Sequence, residues 1–194
     1  MGYSQAQKAE SRQRVLENAS RQIREHGIEA LGVADCMRSA GLTHGAFYGH
    51  FSSRDALILE ALEHAVSQSE KRMASLASGS AKRGETPLQA IAEAFLNERH
   101  VKNPGTGCAL CALAGEARHA NPDVREQLTG YVRKLASRIA HAIPSDSKEA
   151  GLGIVATIVG AITLARAVDN DKLAKSILSE SLALVMSRDA SPVG

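Results

Sequence analysis

Cys108 and Cys111 stand three residues apart at a predicted helix start, a spacing that puts both thiols on one helical face. A helix N-terminus favours the thiolate there, so a thiol-based redox or electrophile sensor fits the pair. Two small buried hydrophobes fit it as well. A lone C-x-x-C without a second pair is poor evidence for zinc, and no strand precedes it to suggest a thioredoxin-like site. His100, Glu116, His119 and Tyr131 are dispersed among apolar residues of the middle helices. With Cys108 and Cys111 they are the candidates for lining a ligand pocket, and each fits a surface position equally well. No positioned base, metal constellation or Gly-rich phosphate loop can be assembled. An enzyme is therefore not expected, no metal or cofactor is implied, and a helical thiol oxidoreductase is the remotest alternative.

These side chains must be positioned by helices. The chain has 194 residues, 44% apolar but only 3% aromatic and without Trp, so its core is built from Ala, Leu, Val and Ile. A net charge of +2 says little about nucleic acid, because positive charge is needed only where phosphates pass. Three cysteines make no disulfide framework and no signal peptide is visible, which points to a reducing cytoplasm. The uncharged stretch 150–165 is shorter than the ~20 residues of a membrane span and reads as a helix buried between neighbours, with no membrane partner.

Val15, Ala19 and Ile23 recur every fourth residue and predict a helix over 10–26, stopped by Gly27. Short helices follow over 33–39, broken by Gly41, and 44–50, capped by Thr43. Ser52 with Asp55 reads as a capping box opening a long helix over 54–78. Thr86-Pro87 starts a helix to about residue 100, and another covers 108–119. Asn121-Pro122 caps one over 123–142, ended by Pro144. Asp146 with Glu149 starts 146–167, and the last helix is 171–187. The fold class is all-α, with about nine helices, three short and then six.

Two short helices joined at Gly41 and braced by a preceding one form a helix-turn-helix, whose second helix enters the major groove of DNA. The segment 40–57, A-G-L-T-H-G-A-F-Y-G-H-F-S-S-R-D-A-L, resembles the DNA-binding signature of the TetR family of transcriptional regulators. The resemblance runs from about Glu10 to Ala65. It implies a helix-turn-helix domain over 8–55, with the motif at about 32–51, and a helical ligand-binding and dimerisation domain over 56–190. It also implies a homodimeric, usually repressing regulator that binds a pseudo-palindromic operator in double-stranded DNA and is released by a small-molecule inducer.

On that resemblance Thr43 bonds a phosphate at the helix start, and His44 stands where Lys is common. Gly45 and Ala46 approach the bases, where the Ala46 methyl can meet a thymine methyl. Tyr48 and His50 match phosphate-bonding positions, while Arg54 and Arg38 add charge to the flanking backbone. Phe47, Phe51 and Leu57 are core. The chain departs from the pattern at Gly32, Cys36 and Gly49. Gly153, Ile154, Gly160 and Ala161 in the penultimate helix, with Ile177, Leu178, Leu182 and Val185 in the last, are the expected dimer interface.

Overall fold

The computed structural model describes residues 5–143 and 147–189, and all regular structure among them is helical. Helix α1 (Gln5–His26) buries Val15, Ala19 and Ile23 completely. Gly27 ends it at φ +90°, a left-handed conformation that costs glycine little. Helix α2 (Val33–Ser39) buries Cys36 and Met37 and is followed by Gly41 at φ +76°. Its N-cap, Gly32, supplies no side-chain bond.

The third helix departs from expectation. Residues His44–Gly49 form a 3-10 turn rather than an α-helix. Glycine at positions 45 and 49 works against α-helix by about 1 kcal/mol each relative to Ala, and so short a segment gains little from cooperativity. Tertiary packing holds the turn instead: Phe47 and Phe51 are buried, with their rings stacked at 5.8 Å.

Helix α3 (Arg54–Gly79) starts where the sequence places it, but its cap is Ser53 and not Ser52: the Ser53 hydroxyl accepts the Ala56 N–H at 3.0 Å. Its first half packs on α1 and its remainder on the helices of the body. The single helix expected over 87–100 is broken. Helix α4 (Pro87–Phe95) ends at Leu96, and Asn97 caps a new one, α5 (Glu98–Lys102), by accepting the His100 N–H at 2.9 Å. The helix expected over 108–119 likewise shortens to α6 (Ala109–Leu113) and a 3-10 turn, Ala117–His119. Between these two, the Glu116 carboxylate reaches across to the Ile28 N–H at 3.0 Å.

Helix α7 (Pro122–Ala140) is capped by Asn121 as read, and α9 (Asp171–Met186) by Asn170. Pro144 and Asp146 lie outside the described residues. Within them, Ser147 caps α8 (Lys148–Ala167) by accepting the Ala150 N–H. At 20 residues α8 is long and apolar enough to cross a bilayer by length and composition, which corrects the argument from its shortness. Packing on α7 and α9 defines it instead.

The approach of α8 to α7 is set by Gly151, where an added Cβ would lie 2.3 Å from the Ala136 carbonyl oxygen. Gly130, in α7, has open space at the same test. Gly151→Ala is therefore expected to lower stability by about 1–3 kcal/mol through backbone displacement. Gly130→Ala is expected to raise it by about 0.5–1 kcal/mol through helix propensity. Urea unfolding of the two variants checks this, and equal effects would show that α7 and α8 do not meet there.

Candidate functional site

The turn between α2 and α3 presents one continuous outer face. Arg38, Thr43, His44, Gly45, Tyr48 and Gly49 are exposed, Tyr48 to 76%, while Ala46 and His50 are half-buried. A Cβ at Gly45 or Gly49 would meet nothing within 4 Å, and neither residue has a positive φ, so nothing inside the protein requires glycine there. What the two glycines provide is clearance for something approaching from outside. The Thr43 hydroxyl makes no capping bond to the turn it begins. Arg38 pairs with Asp35 at 3.2 Å across the exposed side of α2.

The remaining polar groups of the motif face inward. Arg54 donates to the carbonyls of Leu31 (3.2 Å), Ile28 (2.9 Å) and Glu29 (3.0 Å), so its guanidinium clamps the loop joining α1 and α2. This departs from the phosphate contact expected of it. Arg12 lies over the Phe51 ring at 4.7 Å, donates to the His50 carbonyl at 3.3 Å and pairs with Glu60. Burial, then the charges of Lys8 and Arg12, lower the pKa of His50, which is therefore a neutral imidazole at pH 7. Its Nδ1 is buried and has no hydrogen-bond partner. Cys36, a departure from the family pattern, is satisfied: its thiol donates to the Val15 carbonyl at 3.4 Å, and burial pushes its pKa up to about 11.

Residues 15–61, which span this assembly, match the model of the bacterial regulatory proteins of the tetR family. An uncharacterised HTH-type regulator of Mycobacterium tuberculosis is 27% identical over 169 residues, 80% of this chain and 84% of that protein. The uncharacterised HTH-type regulator YerO of Bacillus subtilis is 31% identical over 64 residues, 33% of this chain and 22% of that one. Residues 15–61 are a DNA-binding segment of the TetR type. Similarity of fold extends well past the matched segment. The reduced form of Escherichia coli NemR superposes with a TM-score of 0.78 at 18% identity, covering 95% of this chain and 99% of NemR. A TetR regulator of Chloroflexus aurantiacus gives 0.75 at 24% identity, covering 94% and 95%.

In the body of the chain, four of the six candidate pocket residues gather at one place. The Cys108 thiol lies 3.3 Å from the Tyr131 hydroxyl, and Cys111 follows one helical turn later; all three are buried. His100 donates from Nδ1 to the Phe95 carbonyl (2.8 Å), and its Nε2 accepts the Cys108 N–H (3.2 Å). Those two bonds fix a neutral tautomer, consistent with a pKa lowered mainly by burial. A cavity of about 520 Å³ opens beside His100 and Cys108, bordered also by Ser69, Arg72, Phe95 and Asn97. Glu116 and His119 are exposed and line a different hollow, beside the α1–α2 loop, rather than the cavity at His100.

The outer surface of α8 and α9 also differs in detail from the sequence reading. Ile154, Ala161, Leu178 and Val185 are buried within the chain itself, because they occupy the faces on which α7, α8 and α9 pack. Gly153 is exposed, and Gly160, Ile177 and Leu182 are half-buried. The large apolar residues left in solvent are Leu152 and Leu164 on α8 and Leu173 and Leu184 on α9. Periodicity alone cannot tell which of two apolar stripes faces inward, and that is why these four leucines escaped it.

Arg54→Ala is expected to cost the fold about 1–3 kcal/mol, because three loop carbonyls lose a charged donor. Tyr48→Ala should change stability by no more than about 0.5 kcal/mol. Chemical denaturation separates the two, and an unaltered midpoint for the Arg54 variant would return its guanidinium to the DNA-facing set.

Proposed function

We propose that this regulator binds a pseudo-palindromic operator as a homodimer, represses from it, and releases it when a small molecule occupies the body. The reading is carried by the outer face of the 3-10 turn, where an exposed tyrosine, hydroxyl and imidazole surround two glycines that nothing internal requires. Gly45 and Ala46 lie closest to the bases, and Thr43, His44, Tyr48 and His50 bond the backbone phosphates, with Arg38 adding charge at the edge. Arg54 serves this surface indirectly, by fixing the loop behind it. In this reading residues 8–55 form the DNA-binding domain, which shares the start of α3 with a ligand-binding and dimerisation domain over 56–190.

Four exposed leucines on α8 and α9 support dimerisation by these two helices. Gly153 and Gly160 would let two copies of α8 approach closely, and the leucines would be removed from water on both sides. The cavity beside His100 is of the size that small molecules use. Its lining includes Arg72 and Arg99 and no carboxylate, which favours an anionic ligand. Occupancy would change the spacing of the two heads, which must match successive major grooves about 34 Å apart. A soluble protein acting on chromosomal DNA in the cytoplasm fits this reading.

Selection of random duplexes by the reduced protein at about 150 mM salt, where non-specific phosphate binding is weakened, is expected to recover two related half-sites. Tyr48→Ala should weaken binding to the selected sequence about 10-fold, the effect of one lost charge-assisted hydrogen bond. Leu164→Glu combined with Leu184→Glu should sediment as a monomer and lose operator affinity while remaining helical. A selected sequence without two-fold symmetry, or a double variant that stays dimeric, would overturn the dimeric reading.

A further inference from the structure

The segment that carries the two cysteines is also the one that touches the DNA-binding head. Just before Cys108, the Gly107 carbonyl accepts from Arg24 of α1 at 3.1 Å, and Gly105 lies so close to Glu25 that a Cβ there would be 2.2 Å from its carboxylate oxygen. Just after Cys111 and the end of α6, Glu116 accepts the Ile28 N–H from the loop joining α1 and α2. Arg166 of α8 donates to the Cys111 carbonyl at 3.0 Å, and to those of His100 (2.9 Å) and Val101 (3.2 Å). A single short stretch of chain thus bridges the proposed dimer helix and the head.

We propose that Cys108 and Cys111 are an oxidation site, at which a hydroperoxide entering the neighbouring cavity closes the pair into a disulfide and so releases the grip of α6 on the head. The consequence for DNA rests on the operator-binding reading above. Cys108 is the attacking thiol, because it borders the cavity and faces the Tyr131 hydroxyl. Cys111 is the resolving thiol. It stands at the third helical position behind Cys108 at the N-cap, a relation in which the two side chains face one another and the Cα atoms fall within the range a disulfide spans.

The titration of the pair agrees with this division. The Cys111 thiol, and after it the Tyr131 hydroxyl, outweigh burial and hold Cys108 below the usual thiol range. Cys111, bonded to Cys108 and buried, is pushed well above it. A carbon electrophile would need only one thiol and would leave Cys111 without a part. The cavity brings a molecule as small as a hydroperoxide to the border formed by Cys108, a residue that is otherwise covered.

The chemistry balances as follows. The Cys108 thiolate attacks one peroxide oxygen; an S–O bond forms, the O–O bond breaks, and hydroxide leaves. The hydroxide takes the Cys111 proton to give water. The Cys111 thiolate then attacks the Cys108 sulfenic sulfur, forming the S–S bond and expelling a second hydroxide, which combines with the proton released when Cys108 ionised. Two thiols and one hydrogen peroxide become one disulfide and two waters. Closing the bond draws Cys108 away from Tyr131, and the attached Gly107 away from Arg24.

The test uses the full-length protein, reduced and then treated with hydrogen peroxide, and follows intact mass and peptide mapping beside binding to the selected operator. Loss of two hydrogen atoms, mapped to a Cys108–Cys111 link, is expected in the wild type and in Cys36→Ala, and in neither Cys108→Ser nor Cys111→Ser. Operator affinity should fall with the link, on the order of 10-fold, and return with dithiothreitol. Should Cys108→Ser fail to fold, Cys111→Ser decides: its Cys108 should stop at a sulfenic acid trapped by dimedone. A wild type that acquires only added oxygen, or that forms the link without losing affinity, overturns the proposal and leaves operator binding intact. Reduced protein that selects no operator instead overturns the regulator reading, while the mass result still judges the oxidation site.

Discussion

A guanidinium taken out of water must be given acceptors, and the folded chain meets that demand three times with backbone carbonyls of loops and of very short helices. Arg24 is 6% exposed and donates to Ser20, Gln68 and Gly107; burial first, then the charge of Arg72, lowers its pKa to about 10, so it stays charged at neutral pH. Arg54 holds the loop after α1, and Arg166 holds the stretch from His100 to Cys111. The carbonyls concerned lie in loops or in five-residue helices, whose last carbonyls have no partner within the helix, and the planar, five-donor arginine head is the side chain suited to gather several at once. A lysine at any of the three would leave carbonyls without donors.

The clamps set how the parts of the molecule communicate. The head touches the body through the long helix α3 and through the α6 segment with its flanking loops. Helix α3 is a continuous rod of 26 residues, so it transmits orientation rigidly. The α6 segment is one and a half turns of helix between two irregular stretches, and side-chain contacts to α1, to the loop after it and to α8 hold it in place. In the proposed function, a perturbation at α6 would reach the head through these side-chain contacts.

Much of this arrangement was legible in the sequence. The four-residue spacing of Val15, Ala19 and Ile23, the breaks at Gly27 and Gly41, and the caps at Thr86 and Asn121 all follow from local chemistry, and local chemistry is what a sequence exposes. Errors arose where a distant partner decided. Asn97 is the local exception: it interrupts an otherwise acceptable helical pattern by accepting the amide of His100 three residues on. Glu116 was grouped with the cysteines as a polar residue among apolar ones, yet it turns away from them to accept the Ile28 N–H. Arg54 carries the charge of a phosphate ligand, and only the position of the preceding loop shows that its Nε and Nη2 donors are engaged by backbone carbonyls. The paired faces of α8 and α9 were found as apolar, but which stripe turns inward depends on α7, and nothing in the helices themselves encodes it.

The 3-10 turn proposed to meet DNA is held from behind by Phe47 and by Phe51 just after it, while its outward residues are left in solvent. On that reading, recognition and stability are lodged in different side chains of one short stretch, residues 43–51. Exchanges at positions 44, 45, 48 or 49 alter the reading surface with little penalty to folding, so the lineage is free to drift toward new target sequences by single steps. The inward phenylalanines admit no such freedom.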